Sequence, residues 1–134
     1  MPYKGRCLCG YVRYELTSQP EVMGVCHCKD CQRRSGSSFS TMAEVDRSAF
    51  SFTAASPSIY TGGITESQNP VEMVFCPKCG SPIYTVLLNI PDRLLLHVGT
   101  LNETGWFQPE YHVWTDQKQK WIDVEEVRNR RQSG

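Results

Sequence analysis

Long apolar runs and net charge are both missing from this sequence. No apolar stretch approaches the ~20 residues that cross a bilayer, so no transmembrane helix is expected. Residues 1–6 contain no apolar core of a signal peptide, which predicts a cytoplasmic protein. The 14 basic residues balance 14 acidic ones, so a surface that binds nucleic acid or membranes through a basic excess is not expected.

Sustained helical periodicity is scarce, and the chain has no internal repeat. The best helical candidates are a short turn after Cys28 and residues 124–130. Turn-forming residues instead recur at short intervals and separate stretches rich in β-branched and aromatic residues. Examples of these stretches are residues 11–16, 39–45, 71–75, 83–88 and 94–98. The pattern predicts a mainly β fold.

The length of 134 residues suits one domain with its own core. We expect residues 1–125 to form this domain and residues 126–134 to be a C-terminal tail. The tail carries Arg128, Arg130 and Arg131, which we interpret as solvated charges rather than as an arm for nucleic acid.

Cysteine, in contrast, is abundant, with seven in the chain. An odd number leaves at least one thiol outside any disulfide pairing, and a reducing cytoplasm disfavours disulfides. Clustered cysteines in that compartment are typical metal ligands. They form three groups: Cys7 and Cys9; Cys26, Cys28 and Cys31; Cys76 and Cys79.

The first and third groups are expected to combine into one site. A C-x-x-C turn at residues 76–79 places two sulfurs on one side, and Pro77 and Gly80 suit its tight backbone. Cys7 and Cys9 lie two positions apart in an extended segment, so their sulfurs face the same way. We predict a structural zinc site whose four thiolate ligands are Cys7, Cys9, Cys76 and Cys79.

The middle group combines both spacings. Cys26 and Cys28 share a strand face, and a C-x-x-C turn brings Cys31 towards them. Three thiolates leave one position of a tetrahedral zinc for a further ligand, which is typical of catalytic zinc. We therefore predict a second zinc, more labile than the first, at these three cysteines.

Two alternatives for the middle group stay open. A distant histidine, His97 or His112, could complete a structural site, or the three cysteines could be free thiols in the resting protein. His27 lies between Cys26 and Cys28 and faces the opposite way, so we expect it to pack or hydrogen-bond rather than to bind the metal.

A zinc ion with three thiolate ligands is a soft centre that favours a fourth sulfur ligand over activated water. We therefore predict that the site binds a small thiol and keeps it nucleophilic towards an electrophile such as an aldehyde. The flanking residues expected to contact this thiol are Lys29, Arg33, Arg34 and Ser35, whose alternative role is an ordinary solvated surface.

Several segments resemble the glutathione-dependent formaldehyde-activating enzyme family, to which centromere protein V also belongs. The cysteine blocks at residues 6–10, 26–33 and 75–80 carry the resemblance. Residues 99–102 resemble a Gly-Ser/Thr-Leu-Asp segment of the family, with Asn102 in place of the aspartate. Residues 109–114, followed by Lys118 and Trp121, resemble its C-terminal Pro-x-x-His-Ile and Lys-x-x-Trp pattern.

The resemblance implies a β-tent fold of short antiparallel sheets around a structural zinc, with Cys26, Cys28 and Cys31 at the active site. It implies a carbon–sulfur lyase that forms S-hydroxymethylglutathione from glutathione and formaldehyde, or from a similar thiol and small aldehyde. It also allows a non-catalytic module that binds a protein or nucleic-acid partner. His112 is a hallmark of the family pattern, and we expect it to brace the fold rather than to act as a general base.

Overall fold

The computed structural model describes residues 3–62 and 70–124, which form ten strands and one α-helix. The expected tail at residues 126–134 and most of the helical candidate at residues 124–130 lie outside this part of the chain. The strands are β1 (Tyr3–Arg6), β2 (Arg13–Leu16), β3 (Val22–Cys26), β4 (Ser40–Asp46), β5 (Phe50–Phe52), β6 (Ser58–Gly62), β7 (Val71–Phe75), β8 (Pro82–Leu87), β9 (Arg93–His97) and β10 (Tyr111–Val113). The helix is α1 (Lys29–Ser35), and three short 3₁₀ turns cover Arg47–Ala49, Val98–Thr100 and Thr115–Gln117.

The strands form two sheets, which confirms the predicted mainly β fold. A three-stranded antiparallel sheet has the order β1-β2-β5. A seven-stranded sheet has the order β10-β3-β4-β9-β8-β7-β6, and all of its pairs are antiparallel except β10 with β3. No helix in the described ranges is long and apolar enough to span a membrane.

The main core lies between the two sheets. Alternate residues of β2, Tyr14 and Leu16, are fully buried against residues of β9 such as Leu94 and Leu96, as expected for strands with one face on a core. Cys7 and Cys76 belong to the same buried cluster. Burial of this apolar surface is the main driving force for folding, and it fixes the positions of the turns that carry these two cysteines.

A smaller apolar cluster lies on the other face of the large sheet. Its buried members are Cys26, Cys28, Cys31 and Met42, and Leu95, Val113 and Trp114 pack against them. Helix α1 begins where the Cys28 side chain accepts a hydrogen bond from the Cys31 N–H, and it ends at Gly36, whose φ is 66°. A residue in this left-handed conformation stops a helix, and glycine adopts it with little strain.

Candidate functional site

The four cysteines of the first and third groups come together between two hairpin turns. The turn after β1 carries Cys7 and Cys9, and the turn after β7 carries Cys76 and Cys79. All four sulfurs lie within 4.8 Å of one another. The Cys7 and Cys9 sulfurs are 3.7 Å apart, and those of Cys9 and Cys76 are 3.8 Å apart. Ligand sulfurs around a tetrahedral zinc with Zn–S bonds of ~2.3 Å would be separated by about 3.8 Å, so the cluster could hold such an ion.

The two turns have matching backbone geometry. Gly10 has a φ of 82° and Gly80 a φ of 79°, each directly after a cysteine. Backbone N–H groups point at the sulfurs: Val12 N lies 3.3 Å from Cys7 Sγ, and Lys78 N lies 3.3 Å from Cys76 Sγ. Such donors stabilise the thiolate, which is the form of cysteine that binds a metal.

Ser81 joins the two turns. Its hydroxyl accepts a hydrogen bond from the Leu8 N–H at 3.0 Å and lies 3.2 Å from the Cys79 sulfur. The hydrogen bond of Ser81 lowers the pKa of the Cys79 thiol to about 5. The sequence motif did not single out Ser81, because its contact with Leu8 exists only once the hairpins meet.

The remaining three cysteines come together where β3 passes into α1. The sulfurs of Cys26, Cys28 and Cys31, called the triad below, lie within 4.8 Å of one another, and the residues are only 5%, 6% and 8% exposed. The hydrogen bond from Cys26 lowers the pKa of the Cys28 thiol to about 3, while the reciprocal contact raises the pKa of Cys26. Negative charge is thus favoured at Cys28, while the pKa of Cys31, like that of Cys26, is raised. The three sulfurs are soft ligands that could hold a metal ion.

No histidine or carboxylate within residues 3–62 and 70–124 joins the triad at that spacing. His112 points its Nδ1 at the Nε2 of His27, 2.7 Å away, and the two rings stack with centroids 5.0 Å apart. Burial lowers the pKa of His27 to about 4 and also lowers that of His112, so both are neutral at pH 7. The pair connects β10 to the residue between Cys26 and Cys28.

Of the four flanking residues expected to contact a thiol, Arg34 contacts a triad sulfur. Its Nη2 is 3.8 Å from the Cys31 sulfur, and its Nη1 donates to the Thr85 hydroxyl. Arg33 is exposed and lies 3.8 Å from the Asp30 carboxylate. The Ser35 hydroxyl donates to the Cys31 carbonyl at 2.7 Å.

Lys29 lies at the start of α1. Its Nζ is 3.4 Å from Gln32 Oε1, and its backbone N–H donates to the Gln117 side chain at 2.8 Å. Lys29 and Arg33 thus lie on the outer side of the helix, while Arg34 lies on the triad side.

Trp114, the last residue of the family-like segment at residues 109–114, packs against the triad cluster. Its φ of 58° and ψ of 41° make it the one non-glycine residue with positive φ within the described ranges. This conformation costs of order 1–3 kcal/mol and is found most often near functional sites. The register of Val113 opposite Cys26 delivers Trp114 to the triad, and this pairing of β10 with β3 left no local signal in the sequence.

His97, one of the two histidines considered as a possible fourth ligand, is not among the atoms that cluster with the triad sulfurs. It is 7% exposed, and its Nε2 finds no hydrogen-bond partner in the described part of the chain. Burial, and then the charge of Arg34, lower its pKa to about 3. His97 pairs in register with Met42, which contacts the triad, so its ring lies on the triad face of the sheet.

Comparison with known proteins identifies the family. The family model for glutathione-dependent formaldehyde-activating enzymes matches residues 2–117. A protein of Penicillium rubens described as a "Putative glutathione-dependent formaldehyde-activating enzyme" is 30% identical over 113 residues, which cover 81% of this chain and 58% of that protein. The matched region thus spans little more than half of this relative.

A solved structure of a Rhodobacter sphaeroides protein shares the fold. It superposes with a TM-score of 0.59 at 24% sequence identity, and the match covers 79% of this chain and 91% of that one. At this identity the likeness concerns the fold alone. The family match over most of the sequence, together with the two cysteine clusters, shows that the chain belongs to the glutathione-dependent formaldehyde-activating enzyme family.

Proposed function

We propose that the protein is a cytoplasmic, zinc-dependent carbon–sulfur lyase that joins a small thiol to formaldehyde or another small aldehyde. Glutathione is the first candidate for the thiol, in line with the family. The observation that carries the proposal is the triad: three buried sulfurs within 4.8 Å of one another, with no histidine or carboxylate joining them in the described part of the chain.

We assign the two cysteine clusters different roles. Cys7, Cys9, Cys76 and Cys79 would hold a structural zinc, since four thiolates close a tetrahedral site. Cys26, Cys28 and Cys31 would hold a second zinc. Zinc bound at the triad would supply a position for one more sulfur and would favour the deprotonated form of a substrate thiol.

The residues around the triad bind and orient the substrate. Arg34 places a permanent positive charge 3.8 Å from the Cys31 sulfur and offsets the negative charge of a thiolate-rich site. Lys29 and Arg33 are the proposed contacts for the carboxylates of glutathione. Ser35 holds the end of α1 through its hydrogen bond to the Cys31 carbonyl.

The reaction needs no oxidant or reductant. The thiol sulfur bonds to the carbonyl carbon, and the π electron pair of the carbonyl moves to oxygen. The thiol loses its proton and the oxygen takes one up, which leaves a hemithioacetal. The reverse reaction breaks the same carbon–sulfur bond, and this direction defines a lyase.

Exchange NMR with ¹³C-formaldehyde and glutathione tests the proposal. We expect micromolar protein to accelerate exchange between hydrated formaldehyde and the glutathione adduct, because the bound thiol is held beside the aldehyde. The matched variant is Cys28→Ser, which removes one triad ligand and leaves the four-cysteine cluster intact. An exchange rate equal to that of buffer would contradict the enzymatic role. If glutathione still bound, that result would favour the non-catalytic binding module.

A further inference from the structure

Three buried side-chain nitrogen atoms have no hydrogen-bond partner in the described part of the chain: Nδ1 of His27, Nε of Arg34 and Nε2 of His97. Buried polar groups without partners are rare in folded proteins, and each calls for a physical reason. Those of Arg34 and His97 lie on the triad side of the large sheet, since Arg34 approaches the Cys31 sulfur and His97 pairs with Met42 of the triad cluster.

The Arg34 guanidinium is held in place at its outer nitrogens. One donates to the buried Thr85 hydroxyl, and the other lies 3.8 Å from the Cys31 sulfur. The guanidinium is therefore anchored on both sides while its Nε–H has no acceptor in residues 3–62 and 70–124. Arginine stays protonated in proteins, so this N–H is always a donor.

His97 reaches the same region from β9. It lies opposite Met42 in register, and Met42 belongs to the same buried cluster as the triad cysteines. Leu95, two residues before His97, packs on this cluster. The pKa of His97 is lowered to about 3, first by burial and then by the Arg34 charge. The ring is therefore neutral at pH 7 and lies near the Arg34 guanidinium. A neutral imidazole can donate or accept a hydrogen bond at Nε2.

We propose that Arg34 and His97 together bind the oxygen atom of the aldehyde substrate, as the hydrogen-bonding half of a site whose other half is the triad. The inference rests on the proposed function and adds two residues with a defined task. Neither nitrogen has to break a contact with a described residue in order to bind this oxygen. Donors that are already positioned stabilise a charge that develops during reaction without a cost of reorganisation.

The chemistry fits a carbonyl oxygen. As the thiol sulfur bonds to the carbonyl carbon, the π electron pair moves to oxygen, which becomes negatively charged and must be protonated. The Arg34 Nε–H can donate to this oxygen as the charge develops. The neutral His97 ring can hydrogen-bond to the hydroxyl that results, and the proton released by the thiol balances the one that the oxygen gains.

Exchange NMR on variants tests the assignment, with calorimetric titration of glutathione as a second readout. Removing one positioned donor lowers such rates by on the order of 100-fold. We expect a loss of about this size in aldehyde exchange for Arg34→Lys and His97→Leu, with glutathione affinity changed less than about 2-fold. His97→Gln, which provides a side-chain amide in place of the imidazole, should be faster than His97→Leu and slower than the wild type.

Arg93→Lys is the control on the same strand, since Arg93 pairs with Glu21 and Glu44, and it should leave both readouts unchanged.

A spectroscopic readout on the unmodified protein does not depend on any variant. The ¹⁵N resonance of His97 Nε2 should shift when glutathione and formaldehyde are added together, but not with glutathione alone. An unchanged resonance, or folded Arg34→Lys and His97→Leu variants that retain wild-type exchange, would overturn the assignment. A matched loss of glutathione affinity would also overturn it, because it would make these residues thiol contacts. If the wild-type protein itself gives no acceleration, the proposed function fails and this inference fails with it.

Discussion

Two buried imidazoles lie near the triad: His27, between Cys26 and Cys28, and His112, on the adjacent strand β10. His27 is fully buried, and its ring bonds to His112 through Nε2 while its Nδ1 has no partner among the residues described. The imidazole pair can form only because β10 lies parallel to β3, which sets His112 opposite Val25. The contact therefore fixes the strand that delivers Val113 and Trp114 to the triad.

Replacing His112 tests this bracing role. His112→Leu removes the 2.7 Å contact and leaves the buried His27 ring without a hydrogen bond at either nitrogen. An unsatisfied buried group of this kind costs about 1–3 kcal/mol. We expect the free energy of unfolding, measured with urea, to fall by about this amount. A variant whose unfolding midpoint and slope match those of the wild type would show that the pair does not brace the fold.

His97 predicts a pH dependence of stability. Its pKa of about 3 in the folded state lies below its ordinary value of 6.5. Between these two pH values the unfolded chain binds a proton at His97 and the folded chain does not. Stability is therefore complete above about pH 6.5 and is lost as the pH falls towards 3, with a slope of up to about 1.4 kcal/mol per pH unit. We expect His97→Gln to have a shallower slope between about pH 5 and 6.5, measured by urea unfolding. Identical slopes would contradict a lowered pKa of His97 in the folded state, since the cysteines titrate alike in both proteins.

The sequence indicated the cysteines and the residues that follow them on the same helix, but not the neighbours that distant strands contribute. Spacing alone predicted which cysteines would meet, because C-x-C and C-x-x-C fix the local direction of two sulfurs. Arg34 was also expected near the triad, since it follows Cys31 within one turn of helix. Thr85 and Trp114 have no such local signature, and His97 was considered only as one of two possible fourth ligands. They meet the triad through the register of strands that are distant in sequence, and the predicted roles of Lys29, Arg33 and Ser35 stay predictions.

The hairpin turns are the elements that set the four-cysteine cluster. Each reverses the chain directly after a cysteine through a glycine with positive φ, and each directs N–H groups at sulfur. The predicted strands at residues 71–75 and 94–98 correspond closely to β7 and β9. The parallel pairing of β10 with β3 could not be predicted, because a three-residue strand carries too little pattern.

A substitution at Gly80 tests the backbone geometry of the turn without a steric clash. A Cβ added at Gly80 would meet no atom within 4 Å, so the effect of Gly80→Ala comes from its φ of 79° alone. We expect a loss of about 1 kcal/mol in the free energy of unfolding and weaker zinc retention against a chelator. Gly99→Ala is the control, since a Cβ there also meets nothing and its φ lies outside the left-handed region. Equal effects of the two substitutions would rule out the conformational explanation.

At the scale of the whole molecule, the two clusters differ in how a bound metal would constrain the chain. Cys9 and Cys76 are 67 positions apart in sequence, and their sulfurs lie 3.8 Å apart, so a metal held there cross-links the two hairpins at the edge of the main core. Such a cross-link stabilises the fold mainly by restricting the unfolded chain. The triad spans six consecutive residues and closes no long loop, so a metal there adds little to global stability.

The most direct test of this division is the number of zinc ions per chain, counted by native mass spectrometry in zinc-containing buffer. We expect two ions in the wild type and one in a folded Cys28→Ser variant. Cys76→Ser should lose the structural ion and unfold at a lower urea concentration. A wild type that binds a single ion, or a Cys28→Ser variant that retains two, would contradict the account.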